Sequence, residues 1–404
     1  MPATLSPELR LLTQAASPVP VGSGSLLDHS RELDWDVVLR QARRHRLASL
    51  LSRHLETAGL DVPSAVVAEL SADRQRTAAR NLRLLASSRA IVAAVDRAGV
   101  TVMALKGVAL LEETYDDLSL RPMVDLDFLV PEASIEQAED IVVGLGFRSA
   151  RPRHDGFVGP RAGKYAYPQL TSADGLVHVD LHRHVLPDAG FDIAEYWAHA
   201  RASRVGAYLL PDHEDLLVHL AAHFFKDRVR RSAGSLGQLA DMAWLAHIRR
   251  PDWDVVVARA RQYHLHGRVF LALMSTNELL GPIVPPEVLA ALRPASYSPA
   301  VGRAFLKRRL LADAPWHPSG YFVGVPGEAY SPRWRPLRRI LPDRAYMEAG
   351  YGSHAGPGSS YGRLLWVRGR QALGKLRPWH LYRDARLNRW MRTVAEEGTT
   401  RTPA

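Results

Sequence analysis

Residues 101–130, TVMALKGVALLEETYDDLSLRPMVDLDFLV, decide how the rest of the chain is read. Thr101 to Leu105 is an apolar, β-prone run, and Lys106-Gly107 closes it with a tight-turn signal. Val108 to about Tyr115 predicts a short helix, a polar loop follows, and a second strand then carries Asp125 and Asp127. Side chains alternate across a strand, so Asp125 and Asp127 face one side while Val124, Leu126 and Phe128 face the other. Two carboxylates placed in this way repel each other and lose hydration on burial. Such a pair persists only with protons, an Arg or Lys partner, or a divalent cation.

Mg²⁺, or Mn²⁺ in its place, suits the pair, because it takes one or two protein carboxylates and fills its other positions with water and phosphate oxygens. The turn has a matching use. A glycine before a helix lets phosphate approach the backbone, the helix N-terminus offers N–H groups, and Lys106 adds a cation. Phosphates at the turn and metal at the carboxylates would be bridged by one nucleoside triphosphate.

The order Leu105-Lys106-Gly107, Leu110, Tyr115, Arg121 and Asp125-Leu126-Asp127 resembles the uncharacterised nucleotidyltransferase family within the DNA polymerase β-like superfamily. That superfamily has a turn, a helix, a strand with two aspartates around an apolar residue, and a third carboxylate on a later strand. HVDLH, residues 178–182, supplies the later strand, with Asp180 as the matching carboxylate. Lys106-Gly107 departs from the Gly-Ser turn of the wider superfamily. The resemblance implies an α+β fold: a small mixed-sheet polymerase β-like palm flanked by helical N-terminal and C-terminal regions. It implies catalytic and metal-binding roles for Asp125, Asp127 and Asp180, and nucleotide contacts for Lys106, Gly107 and Arg121. Arg121 is open between bracing the carboxylate loop and touching phosphate through its planar fork. The implied reaction moves a nucleoside monophosphate, AMP by default, from an NTP such as ATP to a hydroxyl, releasing pyrophosphate. The acceptor is open among a small molecule, a saccharide, a peptide and a protein.

At 404 residues the chain can bury a large core, and 47% hydrophobic with 23% charged residues gives no case for global disorder. There is no cysteine, which excludes disulfides and thiolate chemistry. The N-terminus lacks the order of a signal peptide, and no run of about 18 apolar residues suggests a membrane span. These features lead to the expectation of a cytoplasmic protein. The net charge of +10 is uneven: residues 301–404 hold 19 Lys+Arg against 7 Asp+Glu. That basic, tryptophan-rich quarter reads either as solvated helices or as a surface for an anionic partner.

In chain order, residues 1–28 are rich in Pro, Ser and Gly and read as a flexible tail. Residues 29–100 read as a helical region, 101–190 as the catalytic core, 191–300 as a second helical region, and 301–404 as the basic C-terminal region. Helix-period stripes are found over Asp34 to Ala42, Ala48 to Thr57, Pro63 to Ala98, Ser134 to Leu145, Asp212 to Phe225 and Leu236 to Ile248. Ser-Ala-Asp-Gly at 172–175 signals a hairpin between Lys164–Leu170 and Leu176–Leu181. A weak repeat links Trp35-Asp-Val-Val38, Ala42, Arg43 and Leu47 to Trp253-Asp-Val-Val256, Ala260, Arg261 and Leu265. It reads as a recurring helical hairpin.

Competing readings are weaker. His178, His182 and His184 beside Asp180 suggest zinc, but the aspartate pair explains Asp180 better. His219 and His223 lack the Glu of a metalloprotease helix. An Asp-x-Asp glycosyltransferase would begin with a nucleotide-binding α/β half, whereas the first hundred residues here read as helices. A non-catalytic nucleotide binder or toxin-like scaffold draws its support from the altered Gly-Ser position.

Overall fold

The computed structural model describes residues 5–19, 33–58, 60–149, 169–186, 192–230 and 236–311, with isolated residues between 360 and 394. Four helices lead into the sheet: α1 (Pro7–Ala16), α2 (Trp35–Arg44), α3 (Ala48–Ala58) and α4 (Ser64–Arg97). The expectation of a tail over 1–28 is corrected for its first half. Ser6 caps α1, with Oγ accepting from Leu9 N at 3.3 Å, and Pro7 pre-sets the first helical turn. Leu11 and Leu12 are fully buried. The polar composition of 1–28 hides a two-turn apolar stripe that only long-range packing reveals.

The remaining elements are β1 (Met103–Ala104), α5 (Lys106–Glu113), β2 (Leu126–Leu129), α6 (Ile135–Gly144), β3 (Arg148–Ser149), β4 (Leu170–Thr171) and β5 (His178–His182). They continue with α7 (Ile193–Ala198), β6 (Arg201–Ala202), β7 (Leu209–Leu210), α8 (His213–Arg230), α9 (Leu236–Arg249), α10 (Trp253–Gln262), α11 (His266–Leu280), α12 (Pro286–Leu292) and α13 (Pro299–Phe305). The seven strands form one mixed sheet in the order β3-β4-β5-β2-β1-β7-β6, so the fold is α+β as expected. β2 and β5 run parallel at its centre, and β1 pairs antiparallel to β2. β4 and β5 make the expected hairpin, with Gly175 at φ +74 in the turn. The sheet does not end at residue 190: β7 pairs parallel to β1 through Met103 and Leu209, and β6 forms the edge. Strands of two residues are too short to show alternation, so 191–300 reads as wholly helical in sequence.

The helices after the sheet close the core. α8, α9 and α11 pack against one another, and residues from all three belong to the same contiguous apolar cluster as the sheet. α1 joins them: Trp244 Nε1 donates to Ala16 O at 3.0 Å, and Ser17 Oγ donates to Leu280 O at 2.7 Å.

The repeat has a geometric counterpart. Asp34 caps α2 and Asp252 caps α10, each through its side chain. Both helices end on a non-glycine residue in the left-handed region, Arg46 at φ 59 and His264 at φ 56. In each copy the next amide bonds back five residues, Leu47 N to Ala42 O at 2.8 Å and Leu265 N to Ala260 O at 2.7 Å. This is a Schellman-type ending, and it turns the buried Leu47 and Leu265 into the following helices α3 and α11.

Among the described residues no helix is long and apolar enough to cross a membrane. Most of the basic C-terminal region, and with it the expected anionic-partner surface, lies outside the described residues, as does most of the strand expected over Lys164–Leu170.

Candidate functional site

Strand pairing assembles the site. In the parallel β2–β5 pair, Asp127 lies opposite Asp180 and Leu129 opposite His182. Neighbouring strands are about 4.8 Å apart, so in-register side chains on one face meet directly. Asp127, Asp180 and His182 each offer a ligand-type atom, all within 4.8 Å of one another. Asp127 and His182 are buried, and Asp180 is half-buried. Asp125 sits one residue before β2 begins and is also half-buried. It is not part of that three-residue group.

The contacts of Asp127 are specific. Its Oδ1 accepts from Lys106 Nζ at 2.5 Å and lies 2.7 Å from His182 Nε2, a hydrogen bond made by the Nε2–H tautomer. Asp180 Oδ1 accepts from Gln169 Nε2 at 3.2 Å. Burial alone would raise the Asp127 carboxyl, but the Lys106 charge and the His182 hydrogen bond outweigh it and hold it well below the usual range. Burial and then the Asp127 charge push Asp125 up to about 6. Asp180 is raised by the same two causes. Burial keeps His182 neutral near pH 7 against the pull of Asp127. The site therefore holds one firmly ionised carboxylate, Asp127, flanked by two whose proton affinity is raised.

The turn differs from the sequence expectation in one respect: the helix begins at Lys106 and not at Val108. Lys106 and Gly107 lie in the first turn of α5, and the left-handed residue is Lys106, at φ 42, rather than the glycine. Gly107 is required for space. A Cβ there would meet Met123 Sδ at 2.9 Å, Met123 Cγ at 3.1 Å and Arg121 Nη1 at 3.2 Å. α5 begins where Leu105 N bonds to Asp127 O at 2.9 Å, so the helix N-terminal end lies against the carboxylate strand.

Arg121 makes a forked ion pair across the fold. Its Nε donates to Asp241 Oδ1 at 3.0 Å and its Nη2 to Asp241 Oδ2 at 3.1 Å. Tyr115 Oη donates to the same carboxylate at 2.9 Å. Of the two sequence readings, this geometry favours bracing the loop that leads to Asp125. That loop is also held by Asn81 on α4, which is fully buried. Asn81 Nδ2 donates to Leu118 O at 2.6 Å and to Arg121 O at 2.8 Å, and its Oδ1 accepts from Met123 N at 3.1 Å. Arg74 adds bonds to Ser119 Oγ at 2.9 Å and Asp117 Oδ2 at 2.7 Å. Sequence reasoning missed Asn81, Arg74 and Asp241. The only signal was a large polar Asn on the buried face of α4 that carries Leu84 and Ile91.

The other candidates serve structure. Of the three zinc-reading histidines only His182 joins the acidic group, while His178 Nδ1 bonds Thr171 Oγ1 at 3.1 Å. His219 faces Tyr196 Oη at 3.4 Å and stacks edge-on with His223. A second ligand-type group, His199, Asp212 and Asp215, is paired with Arg259, whose Nη1 reaches both Asp212 oxygens at 2.6 Å and Asp215 Oδ2 at 3.2 Å. That network pins α10 to the first turn of α8. Buried Glu113 gathers His213, Arg249 and Arg201 at 2.8, 3.1 and 3.3 Å and joins α5 to the helices behind the sheet.

The donor set fits a hard divalent cation: carboxylate oxygens of Asp127 and Asp180 converge, and the proton affinity of Asp125 and Asp180 is raised by burial and the Asp127 charge. No curated protein matches the chain. The family described as an uncharacterised nucleotidyltransferase matches residues 31–281, a span that contains the whole sheet and every residue of this site, and the chain belongs to that family.

Proposed function

We propose that the protein transfers a nucleoside monophosphate, with AMP as the first choice, from an NTP to a hydroxyl of an acceptor, releasing pyrophosphate. One observation carries this reading: the parallel register that sets Asp127 opposite Asp180, beside Asp125 and the start of α5. Asp125, Asp127 and Asp180 would hold Mg²⁺ or Mn²⁺, which when bound neutralises phosphate charge and acidifies the acceptor hydroxyl. Lys106 binds triphosphate oxygens from the first turn of α5. Asp180 takes the proton as the acceptor oxygen bonds to the α-phosphorus. The bond from that phosphorus to the β-bridging oxygen breaks, and pyrophosphate leaves with the electron pair. Gln169 orients Asp180, and His182 fixes the rotamer of Asp127. Arg121, Asn81 and Arg74 hold the loop and touch no substrate. The acceptor is a small molecule, saccharide, peptide or protein, and a cytoplasmic location is consistent with a reaction that consumes NTPs.

The test is pyrophosphate release from each of the four NTPs with Mg²⁺ and a fractionated cell extract as acceptor source, with a mass survey for added nucleoside monophosphate. Wild type should release pyrophosphate and form an adduct, and Asp127→Asn should do neither. Equal release by Asp127→Asn, or consumption of sugar nucleotides in place of NTPs, would overturn the reading.

A further inference from the structure

Lys106 combines two features that triphosphate binding alone does not require. Its backbone occupies the left-handed region at φ 42, which disfavours any residue with a Cβ and is retained only where surroundings enforce it. Its Nζ lies 2.5 Å from Asp127 Oδ1, on the carboxylate that faces Asp180 across the strand pair. The ammonium is buried to 16% side-chain exposure beside a carboxylate exposed to only 4%. It therefore sits as a compact point charge where a hard cation would be drawn by the same oxygens. Two cations sharing one carboxylate in a poorly solvated site repel, so each weakens the other's hold.

Building on the nucleotidyltransferase reading, we propose that Lys106 is a displaceable internal counter-cation of the metal site. It neutralises Asp127 in the metal-free protein and gives way when a divalent ion binds. Its ammonium then finds a new partner in triphosphate oxygens. His182 keeps its own hydrogen bond to Asp127 Oδ1 and so preserves the carboxylate orientation during the exchange. The consequence is thermodynamic coupling: bare metal binds weakly because it must evict a cation, and metal with polyphosphate binds well because the evicted cation is re-paired. A Gly-Ser turn carries no such charge, so Lys106 would make this site selective for the metal–triphosphate complex over free metal.

The experiment titrates Mn²⁺, and separately preformed Mn²⁺–tripolyphosphate, into metal-free full-length wild type, Lys106→Met and Asp127→Asn. Lys106→Met should bind bare Mn²⁺ about tenfold tighter than wild type, from loss of the competing charge. Wild type should prefer the tripolyphosphate complex, and Lys106→Met should lose that preference. Equal or weaker binding of bare Mn²⁺ by Lys106→Met overturns the proposal. Failure of wild type to bind Mn²⁺ in either form instead overturns the metal site on which it rests. Lys106→Met strips a buried carboxylate of its cation, so a second measurement uses wild type alone. Acylation of Lys106 by an amine-directed reagent, read by peptide mass, should speed up with saturating Mn²⁺ and slow again with the tripolyphosphate complex. An unchanged rate on Mn²⁺ saturation counts equally against displacement.

Discussion

Asn81→Ala tests how the loop that leads to Asp125 is held. The side chain is fully buried and makes three hydrogen bonds to the backbone of residues 118–123, at 2.6, 2.8 and 3.1 Å. Each contributes about 1 kcal/mol net, so alanine should lower stability by about 3 kcal/mol, with a smaller further loss from the cavity. Urea denaturation should show a lower midpoint at an unchanged slope, the mark of lost stability in an intact fold. The loss should also be local. The Met123 amide, which donates to Asn81 Oδ1, should exchange with solvent faster than amides of α11, and Mn²⁺ affinity should fall because the loop leads directly to Asp125. A stability loss below about 0.5 kcal/mol, with Met123 exchange unchanged, would mean that Arg74 and Arg121 hold the loop without Asn81.

Glu113→Gln should destabilise by about 1–2 kcal/mol at neutral pH, since it removes the charge of a buried carboxylate whose Arg and His partners are half-buried. Burial opposes ionisation of Glu113, yet the His213 hydrogen bond and the Arg201 and Arg249 charges lower its proton affinity. A lowered carboxyl contributes stability that is full above the unfolded value near 4.5 and is lost as pH falls through the folded value. The gap between wild type and variant should therefore be full at pH 7 and close under acid, and a gap constant from neutral to acid pH would contradict this. Gly107→Ala should cost about 1–3 kcal/mol through overpacking. Because the obstacle is the Met123 side chain, a double-mutant cycle with Met123→Ala should be clearly non-additive, and additivity would assign the loss elsewhere.

The palm was legible because its signals are local. Apolar alternation placed the strands, the Ser-Ala-Asp-Gly turn placed the hairpin, and Asp180 came from the resemblance as the third carboxylate on a later strand. What local pattern could not show was contact between distant segments. Asp241 braces Arg121 from 120 positions away, and Asn81 reaches the loop from 40, and neither spacing leaves a periodic trace. The repeat was visible as matching letters, but its meaning, two helix endings with left-handed Arg46 and His264, depends on dihedral angles. The Lys106-Gly107 dipeptide marked the turn, but that Lys106 takes the left-handed position depends on dihedral angles. The carboxylate pair was foreseen on one strand face. In the fold, the directly opposed acids are Asp127 and Asp180, a pairing set by the β2–β5 register that sequence spacing does not show.

The most direct measurement is calorimetric binding of a non-hydrolysable ATP analogue with Mn²⁺ to wild type and to Asp127→Asn/Asp180→Asn. Wild type should bind one nucleotide in a strictly metal-dependent way, and the double variant should not bind it. Metal-dependent binding of equal strength by the double variant would contradict the account, because the opposed strand carboxylates would then not be the site.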